Sequence, residues 1–133
     1  MIIQLYMIVG AKYSKWKSKD IIMKLRKLIE ESGWKLYLDD IRTPKSNDFI
    51  IARSVDEAKQ LIKQKGFPIY MSLDHDLGED VPTGYDFVKW IVSEYMDKDL
   101  PQFEFNIHSA NPVGAENMRG LLNNFIRHKR RWN

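Results

Sequence analysis

Three short apolar runs in this chain each stop at a cluster of polar or charged side chains, and that pattern limits the fold more than any other feature. Leu36-Tyr37-Leu38 runs into Asp39-Asp40. Ile69-Tyr70-Met71-Ser72-Leu73 runs into Asp74-His75-Asp76 and then Leu77-Gly78. Phe103-Glu104-Phe105-Asn106-Ile107 runs into His108-Ser109-Ala110-Asn111. Short apolar runs bounded by glycine and proline read as strands. Two more, residues 2–9 and Phe49-Ile50-Ile51-Ala52, have the same character.

The segments between them have helical spacing. Residues 19–32 place Ile21, Ile22, Leu25, Leu28 and Ile29 on one face, with Ser18 as cap and Gly33 as stop. Ser54 and Glu57 sit at capping-box spacing before Val55, Ala58, Leu61 and Ile62, and Thr83 and Asp86 do the same before Phe87, Val88, Ile91, Val92 and Tyr95, a helix that Pro101 ends. Asn111 as cap and Pro112 as first helical residue open a helix whose inner face is Met118, Leu121, Leu122, Phe125 and Ile126. The order is one strand and helix, then β-β-α-β-α-β-α. Strands alternating with helices imply a parallel, layered α/β sheet. The stretch after Asp40 is too short for a crossover helix, so the strands at 36–39 and 50–53 are expected to be parallel neighbours joined by a loop alone.

In a parallel sheet the three polar strand ends are all carboxyl ends and open into one crevice. Clustered carboxylates bind a hard dication, Mg²⁺ or Mn²⁺ first, which makes Asp39, Asp40, Asp74 and Asp76 the candidate metal ligands. Asp74 doubles as a candidate catalytic group, with His75 and His108 as metal ligands or proton carriers near neutral pH. Arg42, Ser109 and Asn111, beside a helix N-terminus, are candidate phosphate holders. Each residue has a structural alternative: Asp39 or Asp40 as a turn cap, His75 as an inward spacer, His108 as a core histidine, Asn111 as a helix cap. If the acids serve only metal, emptying the site of Asp39 and Asp74 should preserve or raise stability, because close carboxylates repel.

At 133 residues, 44% of them hydrophobic, one domain with a sizeable core is expected. There is no cysteine, which excludes disulfides, thiolate metal sites and a cysteine nucleophile, and fits a cytoplasmic protein. Residues 1–10 lack the basic start of a secretion signal and are too short to span a bilayer, so no membrane role is expected. The net charge of +3 is uneven. Residues 1–35 hold eight Lys/Arg against three Asp/Glu, residues 36–126 nine against fifteen, and residues 127–133 four against none. Basic ends around an acidic centre suit a polyanion, and the loop Lys12-Tyr13-Ser14-Lys15-Trp16-Lys17 interleaves cations with aromatic rings. The alternative is ordinary solvated faces with snorkelling stems.

The acidic pair, the aspartate after the middle strand and the hydroxyl residue after the next resemble the receiver domains of two-component signalling over about residues 35–127. The helix between the first two receiver strands is missing, and no lysine lies between Lys98 and Lys129 to play the part of the receiver lysine. A closer resemblance is to the cyclic-phosphate-processing receiver domains. It rests on Leu38-Asp39-Asp40-Ile41-Arg42, on Ser72-Leu73-Asp74-His75-Asp76-Leu77-Gly78, on Thr83-Gly84-Tyr85-Asp86, and on His108-Ser109-Ala110-Asn111-Pro112-Val113-Gly114 with Asn117-Met118. The resemblance implies a receiver-like, flavodoxin-like three-layer α/β sandwich with a mostly parallel sheet over residues 35–133; residues 1–34 fall outside it and are expected to form an N-terminal strand-helix extension packed on that domain. It also implies a metal-dependent phosphoesterase acting on a cyclic phosphate, such as the 2′,3′-cyclic end of RNA or a cyclic nucleotide, in RNA repair. The alternative is a non-catalytic receiver-like module that senses a phosphate ligand or docks a protein partner.

Overall fold

The computed structural model describes residues 18–31 and 33–132. The strand expected at 2–9 and the basic aromatic loop at 12–17 lie outside them. The chain divides into two units, residues 1–33 and 34–133. In the first, helix α1 spans Ser18–Glu31, and Gly33 follows it at a φ of 91°. Such a residue past a helix end favours glycine, because a Cβ there meets the backbone.

The second unit runs β1 (Lys35–Leu38), β2 (Phe49–Ala52), α2 (Val55–Lys65), β3 (Tyr70–Leu73), α3 (Gly84–Tyr95), β4 (Glu104–Ile107) and α4 (Pro112–Trp132). The four strands form one parallel sheet in the order β2-β1-β3-β4. This is the receiver-like α/β arrangement. β1 and β2 are parallel neighbours, Lys35 opposite Phe49 and Leu38 opposite Ala52, joined by residues 39–48 without a helix. Ten extended residues reach at most ~35 Å, ample to retrace a strand of about 13 Å. The return is tied down by the Lys35–Asp48 ion pair (2.9 Å) and by a Ser46–Asp48 hydrogen bond.

Alternation along the strands gives the sheet two unlike faces. One carries Leu36, Leu38, Ala52, Met71 and Leu73, which form a single core with Val55, Ala58 and Ile62 of α2, Phe87, Val88 and Ile91 of α3, and Met118, Leu122 and Phe125 of α4. All three helices of this unit thus pack on one face, so residues 34–132 by themselves make two layers. The other face carries Tyr37, Phe49, Tyr70 and Ser72, with the rings of Tyr37 and Tyr70 edge-on to Phe49 at 5.7 and 5.9 Å. Leu61, Val92, Tyr95 and Leu121, expected to be buried, are half-buried against the core, and Ile126 is half-buried outside it.

The helix starts follow local chemistry. The Ser54 hydroxyl accepts the Glu57 N–H (3.2 Å), while the Glu57 carboxylate accepts from Arg53, one residue earlier than a capping box requires. Thr83 and Asp86 form the full reciprocal box. α3 ends at Tyr95, well before Pro101, and Lys129 donates to the carbonyls of Met96 (2.7 Å) and Lys98 (2.5 Å) beyond its end. Among the described residues no helix is long and apolar enough to cross a membrane.

Candidate functional site

The hydrogen-bond ladder continues one residue past each strand. Asp39 N–H donates to Ala52 O (3.1 Å), Asp74 N–H to Leu38 O (2.9 Å) and His108 N–H to Leu73 O (3.0 Å). These three residues therefore sit in one row at the carboxyl edge. By alternation their side chains stand on the face of Tyr37 and Ser72, opposite the helices. This backbone registry brings together residues that the sequence spreads over 70 positions.

Asp39 is the hub. It is 1% exposed. Its Oδ1 accepts the backbone N–H of Ile41 (2.9 Å) and of Arg42 (2.7 Å), folding the chain into a turn as it leaves β1. Its Oδ2 faces His108 Nε2 (2.9 Å) and Arg42 Nε (3.0 Å). Burial pushes the Asp39 carboxyl up, but the two backbone donors, His108 and the Arg42 guanidinium outweigh it and hold the group below the usual carboxylate range. Arg53 fastens the turn from behind, its guanidinium donating to the carbonyls of Asp39 (3.2 Å) and Arg42 (2.6 Å).

Both ring nitrogens of His108 are engaged. Nδ1 lies 2.7 Å from Ser72 Oγ, Nε2 faces Asp39, and the ring stacks on Tyr37 at 4.6 Å. Burial, with Asp39 adding to it, raises the Tyr37 hydroxyl, so it stays protonated. Tyr37, Ser72 and Arg53 were not singled out from the sequence. The available signal was register: Tyr37 and Ser72 are direct partners across β1 and β3, two residues before Asp39 and Asp74 on the same face.

His75 is held differently. Its Nδ1 lies 2.9 Å from Asp76 Oδ1 and 3.4 Å from Asn111 Nδ2, which leaves Nε2 without a partner among the described residues. The hydrogen bond from His75, with a smaller one from Asn111, lowers the Asp76 carboxyl. The ring rests against the first turn of α4, where a Cβ on Gly114 would lie 2.4 Å from His75 Cγ. Asn111 caps that helix, its Oδ1 accepting the Gly114 N–H (3.0 Å), while its Nδ2 reaches Asp76 Oδ2 (3.4 Å). Its structural alternative, the helix cap, is thus realised in full. Ser109 Oγ accepts the Asn111 N–H (3.1 Å) and keeps its own hydroxyl proton free to donate.

One oxygen from each of Asp39, Asp40 and Asp74 lies within 4.8 Å of the others. Asp76 is not in that group, although it lines the same open groove of ≈ 590 Å³ with Asp39, Asp40, Ile41, Arg42, Asp74, Gly78 and Glu79. An all-oxygen donor set of this span fits a hard dication. The cationic place beside it is taken by the Arg42 guanidinium, which bridges Asp39 Oδ2 (3.0 Å) and Asp74 Oδ2 (3.4 Å). Asp74 Oδ1 accepts its neighbour's N–H from His75 (2.8 Å), so Asp40 holds the carboxylate with the most free lone pairs.

Residues 34–124 match the cyclic-phosphate processing receiver domain family. No curated protein and no solved structure matches the chain.

Proposed function

The chain belongs to the cyclic-phosphate processing receiver domain family, and from that membership we propose that it is a phosphoesterase that opens a cyclic phosphate, the 2′,3′-cyclic end of RNA or of a nucleotide, in RNA-end repair. The observation that carries this reading is the groove itself. Three converging carboxylates and a guanidinium meet in it at one sheet edge, and the His75 imidazole lies next in the chain to two of its lining residues, Asp74 and Asp76, against the first turn of α4 rather than in the lining itself. A dication held by Asp39, Asp40 and Asp74 would supply charge neutralisation for the phosphoryl oxygens.

The chain's own groups do the rest. Arg42, which bridges Asp39 and Asp74, has a guanidinium that would serve as a two-pronged donor for phosphate oxygens if those two carboxylates held a dication instead. The Ser109 hydroxyl adds a further donor. With Asp76 accepting from Nδ1–H, neutral His75 presents a lone pair at Nε2 and can take a proton there from attacking water, then return it to the departing ribose oxygen. His108 has no nitrogen left for this step. In this reading it positions Asp39, and the proton carrier is His75.

The direct test is to incubate the protein with an oligonucleotide ending in 2′,3′-cyclic phosphate, across Mg²⁺, Mn²⁺ and Zn²⁺, and weigh the ends. A gain of one water, lost in His75→Ala, is the expected result. Tight binding with no ring opening under any metal would move the assignment to a sensor of cyclic phosphate, which the family and the missing receiver lysine equally allow.

A further inference from the structure

The basic run that begins at Arg127 continues α4 as helix, and the fold gives its charges a place. Among the described residues β4 is the last strand of the sheet, so one of its edges is unpaired. The N–H groups of Glu104 and His108 donate to the carbonyls of Ile69 and Leu73. By alternation the N–H groups of Phe105 and Ile107 point to the open edge. Along that edge, between β4 and α4, lies a cavity of ≈ 520 Å³. Arg119, Asn123, Arg127 and Arg130 of α4 line it, and all four are exposed. Their spacing keeps them on one helical face over about 16 Å. Three guanidinium groups thus face a lining whose one carboxylate is Glu104. Arg119 is held by an exposed ion pair with Glu116 (2.9 Å) and Arg127 by the Asn124 side chain, contacts that another anion can replace at little cost.

The cavity begins beside the acidic groove. Its lining reaches Ile107, the register partner of Leu73, and Leu73 precedes Asp74 of the groove. One strand spacing, about 5 Å, separates the two backbones there. We infer that this arginine-lined cavity holds the sugar-phosphate backbone of a single-stranded RNA whose cyclic end occupies the groove, so that the protein acts on RNA ends rather than on free cyclic nucleotides. This rests on the cyclic-phosphate reading above. An RNA with its terminus in the groove must lead the rest of its chain away, and each linkage carries a negative charge. The carboxylates of the groove repel that chain, and a row of cations starting one strand away offsets the repulsion. Forked guanidinium donors in line suit successive phosphate oxygens, and the outward N–H groups of Phe105 and Ile107 add neutral donors for phosphate and sugar. An acidic peptide would match the charge, but nothing in its chemistry calls for a cavity that opens beside a phosphate groove.

The test uses the full chain and three probes: a short single-stranded RNA ending in 2′,3′-cyclic phosphate, the nucleoside 2′,3′-cyclic phosphate of its last residue, and an oligoglutamate of the same charge as the RNA. Binding is measured at several salt concentrations for the wild type and for the combined variant Arg119→Gln, Arg127→Gln, Arg130→Gln, with a melting curve to verify folding. At low salt the wild type should bind the RNA about tenfold or more tightly than the nucleoside compound. The variant should bring the two close together and leave nucleoside binding unchanged. The slope of log K against log salt for the RNA should fall by about 2, from three phosphate contacts at ~0.7 each. Equal wild-type affinity for RNA and nucleoside compound, or an RNA preference that survives in the folded variant with its salt slope intact, overturns the RNA track and leaves the cyclic-phosphate reading standing. Oligoglutamate bound as tightly as the RNA also overturns the track and assigns the cavity to an acidic peptide. Failure of the wild type to bind either cyclic phosphate overturns both readings.

Discussion

Replacing Asp39 by alanine should cost the fold far more than replacing Asp40, although both belong to the same acidic cluster. Asp39 is buried and accepts from the Ile41 and Arg42 backbone, His108 and the Arg42 guanidinium. Arg42 is half exposed and can turn to water. The two backbone N–H groups and the His108 N–H have no such escape, and each buried donor left unmade costs about 1–3 kcal/mol. The expected loss for Asp39→Ala is about 3–5 kcal/mol, a large part of the total stability of a domain this size. Asp39→Asn keeps Oδ1 for the turn but sets an NH₂ against Arg42 Nε, and should cost about 1–2 kcal/mol. Asp40→Asn removes a like charge and no hydrogen bond, so its effect should lie within about 0.5 kcal/mol, tending to stabilise. The measurement is urea unfolding of the full chain in chelator at neutral pH. Acid adds a second readout. The folded carboxyl of Asp39 is depressed, so its ionised form stabilises the fold above about pH 4 and that contribution fades as pH falls toward the depressed value. Asp39→Asn should flatten the acid slope of stability. Equal losses for Asp39→Ala and Asp40→Asn, or a more stable Asp39→Ala, would refute the hub and restore the expectation that the emptied acids merely repel.

Arg42→Gln removes the cation that competes for the acids, so it should tighten Mn²⁺ binding by about tenfold in calorimetry while weakening phosphate-ester binding; looser Mn²⁺ binding would contradict the bridge. Gly84→Ala places a Cβ 2.0 Å from the Asp74 carbonyl oxygen and 2.8 Å from Met118 Cε. A loss of about 3 kcal/mol is expected, more than the ~1 kcal/mol of helix propensity gained, and an unchanged melting temperature would show that α3 does not abut β3 so closely. His75→Ala should lower single-turnover cleavage by 100-fold or more with ligand binding kept within about tenfold. His108→Ala should instead lower stability and binding together, because it abandons Ser72, Asp39 and Tyr37; the reverse division would return the proton-transfer role to His108.

The elements of this protein are written in local patterns. Ser54 with Glu57, Thr83 with Asp86, and Asn111 with Pro112 are contacts over one helical turn, so spacing alone announces α2, α3 and α4. Short apolar runs mark β1, β2 and β3 and an alternating one marks β4, and the length of the 39–48 connection already rules out a helix between β1 and β2. The rule that parallel strands deliver their carboxyl ends to one edge is enough to gather Asp39, Asp74 and His108 from the sequence. What each residue does at that edge is decided by contacts with no local signature. His108 reaches Asp39 from 69 positions away and lays its ring on Tyr37. That takes both of its nitrogens and leaves His75, beside Asp76, as the imidazole with one to spare. Arg42 bridges Asp39 and Asp74 only because β1 and β3 are neighbours in register. Asp76 follows Asp74 by two residues, yet its carboxylate is drawn to His75 and Asn111. Secondary structure obeys short-range sterics and capping, which a linear sequence displays. The protonation, orientation and free valence of a buried side chain depend on which distant donors the fold sets against it, and that only the tertiary structure decides.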